Sequence, residues 1–303
     1  MGVFPGFGSW INQNSQQPLK DESKRSENGE SKSVSEKDTN NNPPVNKKKK
    51  KKEVVYYNLR EEMIQERLWH EAEKKHPWHD PPPKIKVTNK KGLYHMNIEL
   101  TVGMSPDSIY DILIDPKGDL FFDRKKWRDL MKNSSRKVLK ENGPRQVIKV
   151  EKTVAFNFFS LTSIPIPLHL IMEENRKDLT TKYKKEKVML MKVFHGNYKV
   201  EPIYVDQERL CKKRLPKSPE EYKKCSRGQG KLASKLTINQ YFEPYPPFNL
   251  PPLSWYIRGS TIKTSKNLLN ALQATALFLR ETEPLPEEAI AAREKEIVQA
   301  HDF

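Results

Sequence analysis

A single charged residue interrupts an apolar strand face in the middle of the sequence. The apolar residues recur at every second position, as they do in a half-buried strand, at Ile148, Val150, Val154 and Phe156. Lys152 takes the position between them. A buried ammonium needs a partner, so Lys152 could anchor the head group of a bound ligand. A register slip or bulge that turns Lys152 outward is the alternative, and from the sequence alone we favour it.

Catalytic and metal-binding chemistry find little support in the residue types. His169 and His195 stand alone at strand positions, and neither a G-x-S-x-G elbow nor a glycine-rich phosphate loop occurs. Three further histidines, His70, His76 and His79, precede or flank a proline-rich segment that favours an extended linker over a metal site. We therefore predict no catalytic residue, metal site or cofactor, and we favour a protein without enzyme activity.

The two cysteines, Cys211 and Cys225, lie in a polar, lysine-rich stretch. They lack C-x-x-C spacing and a neighbouring histidine, so the sequence indicates neither a zinc site nor a disulfide framework. We predict two reduced thiols.

The net charge restricts the classes of partner. The 303 residues carry a formal charge of +16, which favours contact with nucleic acid, an acidic protein or an anionic membrane surface. The lysines are not interleaved with aromatic residues in a nucleic-acid-binding motif. Nucleic-acid binding, and a scaffold role without a ligand, stay open as alternatives to small-molecule binding. We expect a monomer.

The N-terminal segment, residues 1–53, reads as a disordered basic tail because it has almost no apolar residues to bury after residue 11. Prolines and glycines interrupt residues 3–11, so we predict no secretory signal and expect a cytoplasmic or nuclear protein. The tail ends in an unbroken basic run, Lys47, Lys48, Lys49, Lys50, Lys51 and Lys52. This run is typical of a nuclear-import signal, a membrane-surface anchor or a solvated linker.

Replacing Lys47 to Lys52 with glutamine tests the import hypothesis. If the run is an import signal, a fluorescent fusion of the variant should move from the nucleus to the cytosol. An unchanged distribution would identify the run as a linker.

The remaining sequence predicts one α+β domain. Its expected elements are a helix over 57–75 that leads into a proline-rich linker ending at 83, a strand over 94–102, a helix over 105–113, a second short helix through Trp127 to Met131, a series of antiparallel strands up to 242, and a long helix over 253–280. A charged insertion at 206–230 interrupts the strands, and residues 284–303 form a C-terminal tail. A sheet built in this way is apolar on one face, and the last helix is long enough to cover it.

Three segments resemble the START-like superfamily, in its polyketide-cyclase and lipid-transport branch. They are VGMSPDSIYDILIDP from Val102, KVFHGNYKVEPI from Lys192 and LPPLSWYIRGSTIKTSKNLLNAL from Leu250. The whole chain is similar to a plant-specific family on this fold. The resemblance implies a helix-grip domain over residues 84–283, in which a curved antiparallel sheet surrounds the C-terminal helix. It also implies a cavity between sheet and helix for an apolar small molecule such as a lipid, sterol or quinone.

Candidate wall residues for that cavity follow from the two apolar patterns. The sheet supplies Met96, Ile98, Val150, Met189, Met191, Leu236 and Ile238, with Lys152 as the polar anchor, and the helix supplies Trp255, Ile257, Thr261, Leu268 and Phe278. Methionine suits a wall that adapts to a flexible ligand, because its thioether is polarisable and its torsions are soft. Each of these residues could instead be ordinary core.

Overall fold

The computed structural model describes residues 59–115, 131–158, 162–212 and 214–284, together with residues 286 and 288. The predictions for the basic tail with Lys47 to Lys52, for the helix through Trp127 and for most of the C-terminal tail lie outside these residues. Met131, the expected end of that helix, begins a strand instead.

Five helices lie within the described residues. They are α1 Leu59–Lys75, α2 Pro106–Ile114, α3 Gln207–Cys211, α4 Pro219–Cys225 and α5 Leu253–Glu281. The start of α2 is fixed as its sequence predicts: Ser105 caps the helix by accepting a hydrogen bond from the Ser108 amide, and Pro106 takes the first turn, where its missing N–H costs nothing. None of the helices within the described residues combines the length and the apolar character that crossing a bilayer requires.

Eight strands form one antiparallel sheet. Their bounds are β1 Lys84–Lys90, β2 Leu93–Val102, β3 Met131–Asn142, β4 Arg145–Phe158, β5 Thr162–Asn175, β6 Thr180–Val188, β7 Met191–Tyr204 and β8 Leu232–Pro244. The strand order is β1-β2-β8-β7-β6-β5-β4-β3, so the early strand β2 pairs with the last strand, β8. Every second residue of β2 is buried, which defines the inner face of the sheet.

The core lies between this inner face and helices α2 and α5. Its most deeply buried members include Leu100, Ile109, Leu236, Leu272 and Ala276, each at most 1% exposed. The chain therefore has the α+β helix-grip architecture that the sequence predicts, with a START-like arrangement of a curved sheet and a long C-terminal helix.

Helix α1 packs outside the grip, against α5 and the start of β8. The Trp69 indole donates to the Leu232 carbonyl at 2.9 Å. The Gln65 side chain makes two hydrogen bonds at the start of β8: it donates to the Gly230 carbonyl at 3.1 Å and accepts from the Leu232 amide at 2.8 Å. Helix α1 thus fixes the point at which the chain re-enters the sheet.

The insertion at 206–230 is more ordered than predicted, and the prediction of two reduced thiols is wrong. The insertion folds into α3 and α4, which place the Cα atoms of Cys211 and Cys225 5.0 Å apart in a disulfide. No feature of the sequence marks this disulfide, because the two short helices have no periodic apolar face. The Tyr222 hydroxyl donates to the Val205 carbonyl and ties the insertion to the end of β7.

Candidate ligand-binding site

The inward face of helix α5 is buried near both ends of the helix but not in the middle. Ile257 is 2% exposed near its start, and Leu269, Leu272 and Ala276 are at most 4% exposed towards its end. From residue 258 to residue 268 every side chain is half-buried or exposed. The half-buried residues of this stretch include Thr261, Ile262, Ser265 and Leu268. The three turns of α5 over residues 258–268 are therefore less buried than the turns on either side.

The inner face of β5 to β8 has a matching half-buried surface. Its half-buried apolar side chains, Leu168, Met172, Phe194 and Ile238, belong to the same apolar cluster as Ile262. By contrast, the inner face of β2 is fully buried from Tyr94 to Val102. The loosely covered area of the interior is thus confined to the middle of α5 and to these central strands.

Most predicted wall residues lie in the interior. Those that are buried are Met96, Ile98, Val150, Met191, Leu236 and Ile257, and those that are half-buried are Ile238, Thr261, Leu268 and Phe278. Of these, Ile238, Thr261 and Leu268 border the loosely covered area. Thr261 donates its hydroxyl to the Ile257 carbonyl at 2.8 Å, which satisfies it within the helix.

Two predicted wall residues are wrong. Met189 is 43% exposed because it lies in the tight turn between β6 and β7, where Leu190 takes a positive φ of 68° and the strand alternation stops. Trp255 is 66% exposed. It belongs to the first turn of α5, whose buried positions are taken by Ser254 and Ile257, so the indole is left on the solvent side.

Lys152 lies on the inner face, which corrects the outward orientation that the sequence favoured. The pairing of β4 with β5 is unbroken from Arg145 to Phe158, so Lys152 shares the face of buried Ile148 and Val150. Lys152 is half-buried, and loss of solvation lowers its pKa, against the opposing charges of Asp115 and Glu174.

Other polar groups share this face with Lys152. Arg136 and Glu174 form an ion pair at 2.5 Å, with side chains only 10% and 6% exposed. The buried Tyr198 hydroxyl lies beside that of Thr181 but makes no hydrogen bond of normal geometry. Thr181 instead bonds the Tyr110 hydroxyl at 3.0 Å. Within the described residues the interior therefore contains an ammonium and a hydroxyl that make no hydrogen bond of normal geometry, together with the Arg136–Glu174 ion pair.

Sequence reasoning missed three of these residues. Glu174 continues the alternation of Leu168, Leu170 and Met172, so its inward position could have been predicted. Tyr198 likewise continues an alternating pattern in β7, so its inward position could also have been predicted. Arg136 lies in a charged edge strand without alternation, and no feature of the sequence marks it.

A second polar cluster joins α1 and α5 to the turn after β2. Arg280, 2% exposed, pairs with Glu73 at 2.9 Å and Asp80 at 3.2 Å. Its guanidinium also donates to the Gly103 carbonyl at 3.1 Å. This network holds the C-terminal end of α5 against α1 and the turn after β2.

Glu62 of α1 is the buried acid of the same region. It accepts hydrogen bonds from the Ser105 and Ser108 hydroxyls at the start of α2. Burial, reinforced by the charge of Asp107, raises its pKa to about 8. The adjoining crevice, lined by Gln65, Trp69 and the two serines among others, encloses about 20 Å³, which is room for a single water molecule. The polar contacts of this region join α1 to α2, and its crevice is too small to hold a lipid.

Within the described ranges, no group of three or more His, Cys, Asp or Glu side chains is arranged to hold a metal ion. The inner face offers apolar contact together with the Lys152 ammonium and the Tyr198 hydroxyl.

Solved structures of low sequence identity resemble parts of the chain. A START superfamily protein from Mycobacterium smegmatis is 14% identical, with 62% of this chain and 98% of that chain covered and a TM-score of 0.37. Human STARD10 is 11% identical, with coverage of 64% and 73% and a TM-score of 0.36. The STAR-related lipid transfer protein from Xanthomonas axonopodis is 12% identical, with coverage of 66% and 98% and a TM-score of 0.34.

No curated protein matches the chain. A family match covers residues 84–282, from the first strand to the end of α5. It spans about two thirds of the sequence and the whole helix-grip domain. The chain thus belongs to the family described as Domain of unknown function DUF220.

Proposed function

We propose that the protein binds an apolar small molecule, of the lipid, sterol or quinone class, between the sheet and the middle of α5. The main support for the proposal is that the inward face of α5 is buried near both ends of the helix but not over residues 258–268. A helix that only closed a core would bury its inward face along its whole length. A covering helix held at two points leaves its middle free to contact something else.

The side chains on both sides of this area favour an apolar ligand. Leu168, Met172 and Phe194 on the sheet and Ile262 and Leu268 on α5 are only half-buried. Covering apolar surface is worth roughly 25 cal/mol per Å². Binding sites for small molecules typically combine such walls with few polar groups, and here Lys152 and Tyr198 are those groups.

Filling the space next to α5 tests the proposal. Ser265 is a small residue on the inward face, between buried Ile257 and Leu269. The full-length protein should bind the neutral fluorescent probe N-phenyl-1-naphthylamine, and Ser265→Trp should weaken binding at least about tenfold, or about 1.4 kcal/mol. Lys263→Trp is the matched control, because Lys263 is exposed on the same stretch of helix. It should leave probe binding unchanged.

Stability measurements separate a ligand site from a solid core. If residue 265 borders free space, Ser265→Trp should unfold in urea within about 1 kcal/mol of the wild type. Overpacking a solid core costs about 1–3 kcal/mol or more. A wild-type protein that takes up no probe, together with such a loss in Ser265→Trp, would refute the proposal.

A further inference from the structure

We propose that the bound molecule is an acidic amphiphile, with an apolar body and a single carboxylate, and that Lys152 binds the carboxylate. This inference rests on the proposed function and specifies its ligand. Lys152 is held on the inner face by the unbroken register of β4 with β5, opposite Leu168. Its neighbours on the same strand face, Ile148 and Val150, are 1% and 4% exposed. An ammonium in these surroundings has lost solvation that only an anion or a dipole can replace.

No side chain among the described residues replaces that solvation by direct contact. Of the two acids whose charges act on Lys152, Asp115 and Glu174, the latter is already bound by Arg136 at 2.5 Å. Lys152 forms no ion pair or hydrogen bond within the part of the chain that the structure describes. Asp115 and Glu174 influence it only through their charge. The ammonium therefore has no anion in direct contact at the border of the proposed ligand space, and one ligand carboxylate would provide that contact.

The chemistry of the head group determines whether Lys152 gains an anion. A carboxylate gives the ammonium a charged hydrogen-bond acceptor, whereas an ester or an alcohol offers only a neutral one.

Affinities of dodecanoic acid and its methyl ester distinguish head-group recognition from binding of the apolar body. Both are measured on the full-length protein at pH 8 by displacement of N-phenyl-1-naphthylamine. A hydrogen bond to a charged group contributes about 1.5–3 kcal/mol, so the wild type should prefer the acid at least about tenfold. Lys152→Met should abolish this preference by weakening the binding of the acid, whereas the affinity for the ester should change by no more than about twofold.

Lys149→Met is the matched control, because Lys149 lies on the outer face of the same strand and pairs with Glu186 at 2.8 Å. It should keep the preference for the acid. If Lys152→Met does not fold, Lys152→Gln removes the same charge and keeps a polar side chain, and it should also lose the preference.

The outcomes separate the two proposals. Equal affinity of the wild type for acid and ester would overturn the acidic ligand and leave apolar binding intact. A preference that survives in folded Lys152→Met or Lys152→Gln would overturn the role of Lys152. Failure of the wild type to bind any of the three molecules would overturn the proposed function itself.

Discussion

Replacing Arg280 with methionine should destabilise the fold by about 3–5 kcal/mol. Among the described residues the guanidinium is the only cation in an ion pair with Glu73 and Asp80, whose side chains are 10% and 8% exposed. Its removal leaves two buried carboxylates without a compensating charge, and it also removes the bond to the Gly103 carbonyl. Urea unfolding at pH 7, followed by circular dichroism, measures the loss.

The control for this prediction is Arg258→Met on the same helix. Arg258 is exposed, so its replacement should change the free energy of unfolding by about 0.5 kcal/mol or less. Neutralising the acids as well, in Arg280→Met with Glu73→Gln and Asp80→Asn, should recover part of the loss because no buried charge is left unpaired. A loss below about 1 kcal/mol in Arg280→Met would mean that water reaches the network.

Glu62→Gln should remove a large pH dependence of stability. The pKa of Glu62 rises from its ordinary value of 4.5 to about 8 in the folded protein, mainly through burial. Between these two pH values the folded chain holds a proton that the unfolded chain has released, so stability falls as pH rises. The contribution is fully present below about pH 4.5 and is lost as pH rises through about 8. Each unit of pKa shift corresponds to about 1.4 kcal/mol, which makes the total about 5 kcal/mol.

The variant isolates this effect because glutamine stays neutral and its carbonyl can accept from Ser105 and Ser108. Near pH 5 the variant and the wild type should have similar free energies of unfolding. At pH 9 the variant should be more stable by several kcal/mol. Glu61→Gln, whose acid forms a partly exposed ion pair with Lys223, is the control and should show the wild-type profile. Parallel profiles for the wild type and Glu62→Gln would show that Glu62 is ionised in the fold.

The interior elements were predictable from the sequence, and the edge strands were not. Strand β2 and helix α5 have clear apolar periods because one face of each is buried. Strands β1 and β3 are the two edges of the sheet. Strand β1 alternates only over Ile85 and Val87, and the described side chains of β3 are exposed apart from half-buried Arg136, so neither Lys84–Lys90 nor Met131–Asn142 has a long alternating pattern.

The candidate site was only partly predictable, because its outline depends on tertiary contacts. Alternation placed Met96, Ile98 and Leu236 on the inner face, and the structure agrees. Alternation also predicted that Met189 lies on the inner face, but a turn ends the strand there. The gap in the burial of α5 has no counterpart in its sequence, since Ile262 and Leu268 are as apolar as Leu269 and Leu272. Which turns are covered depends on anchors such as Arg280, whose partners lie about 200 residues away in the chain.

The pairing of β2 with β8 has a consequence for synthesis on the ribosome. Val102 pairs with Ser234 and Tyr94 with Phe242, so the partner of β2 is made more than 130 residues after it. At about 5–20 residues per second this interval lasts roughly 7–26 s. Throughout that time the edge of β2 that pairs with β8 is unpaired, while β1 pairs with its other edge. This edge is therefore open to chaperone capture or to pairing with another chain until β8 leaves the exit tunnel.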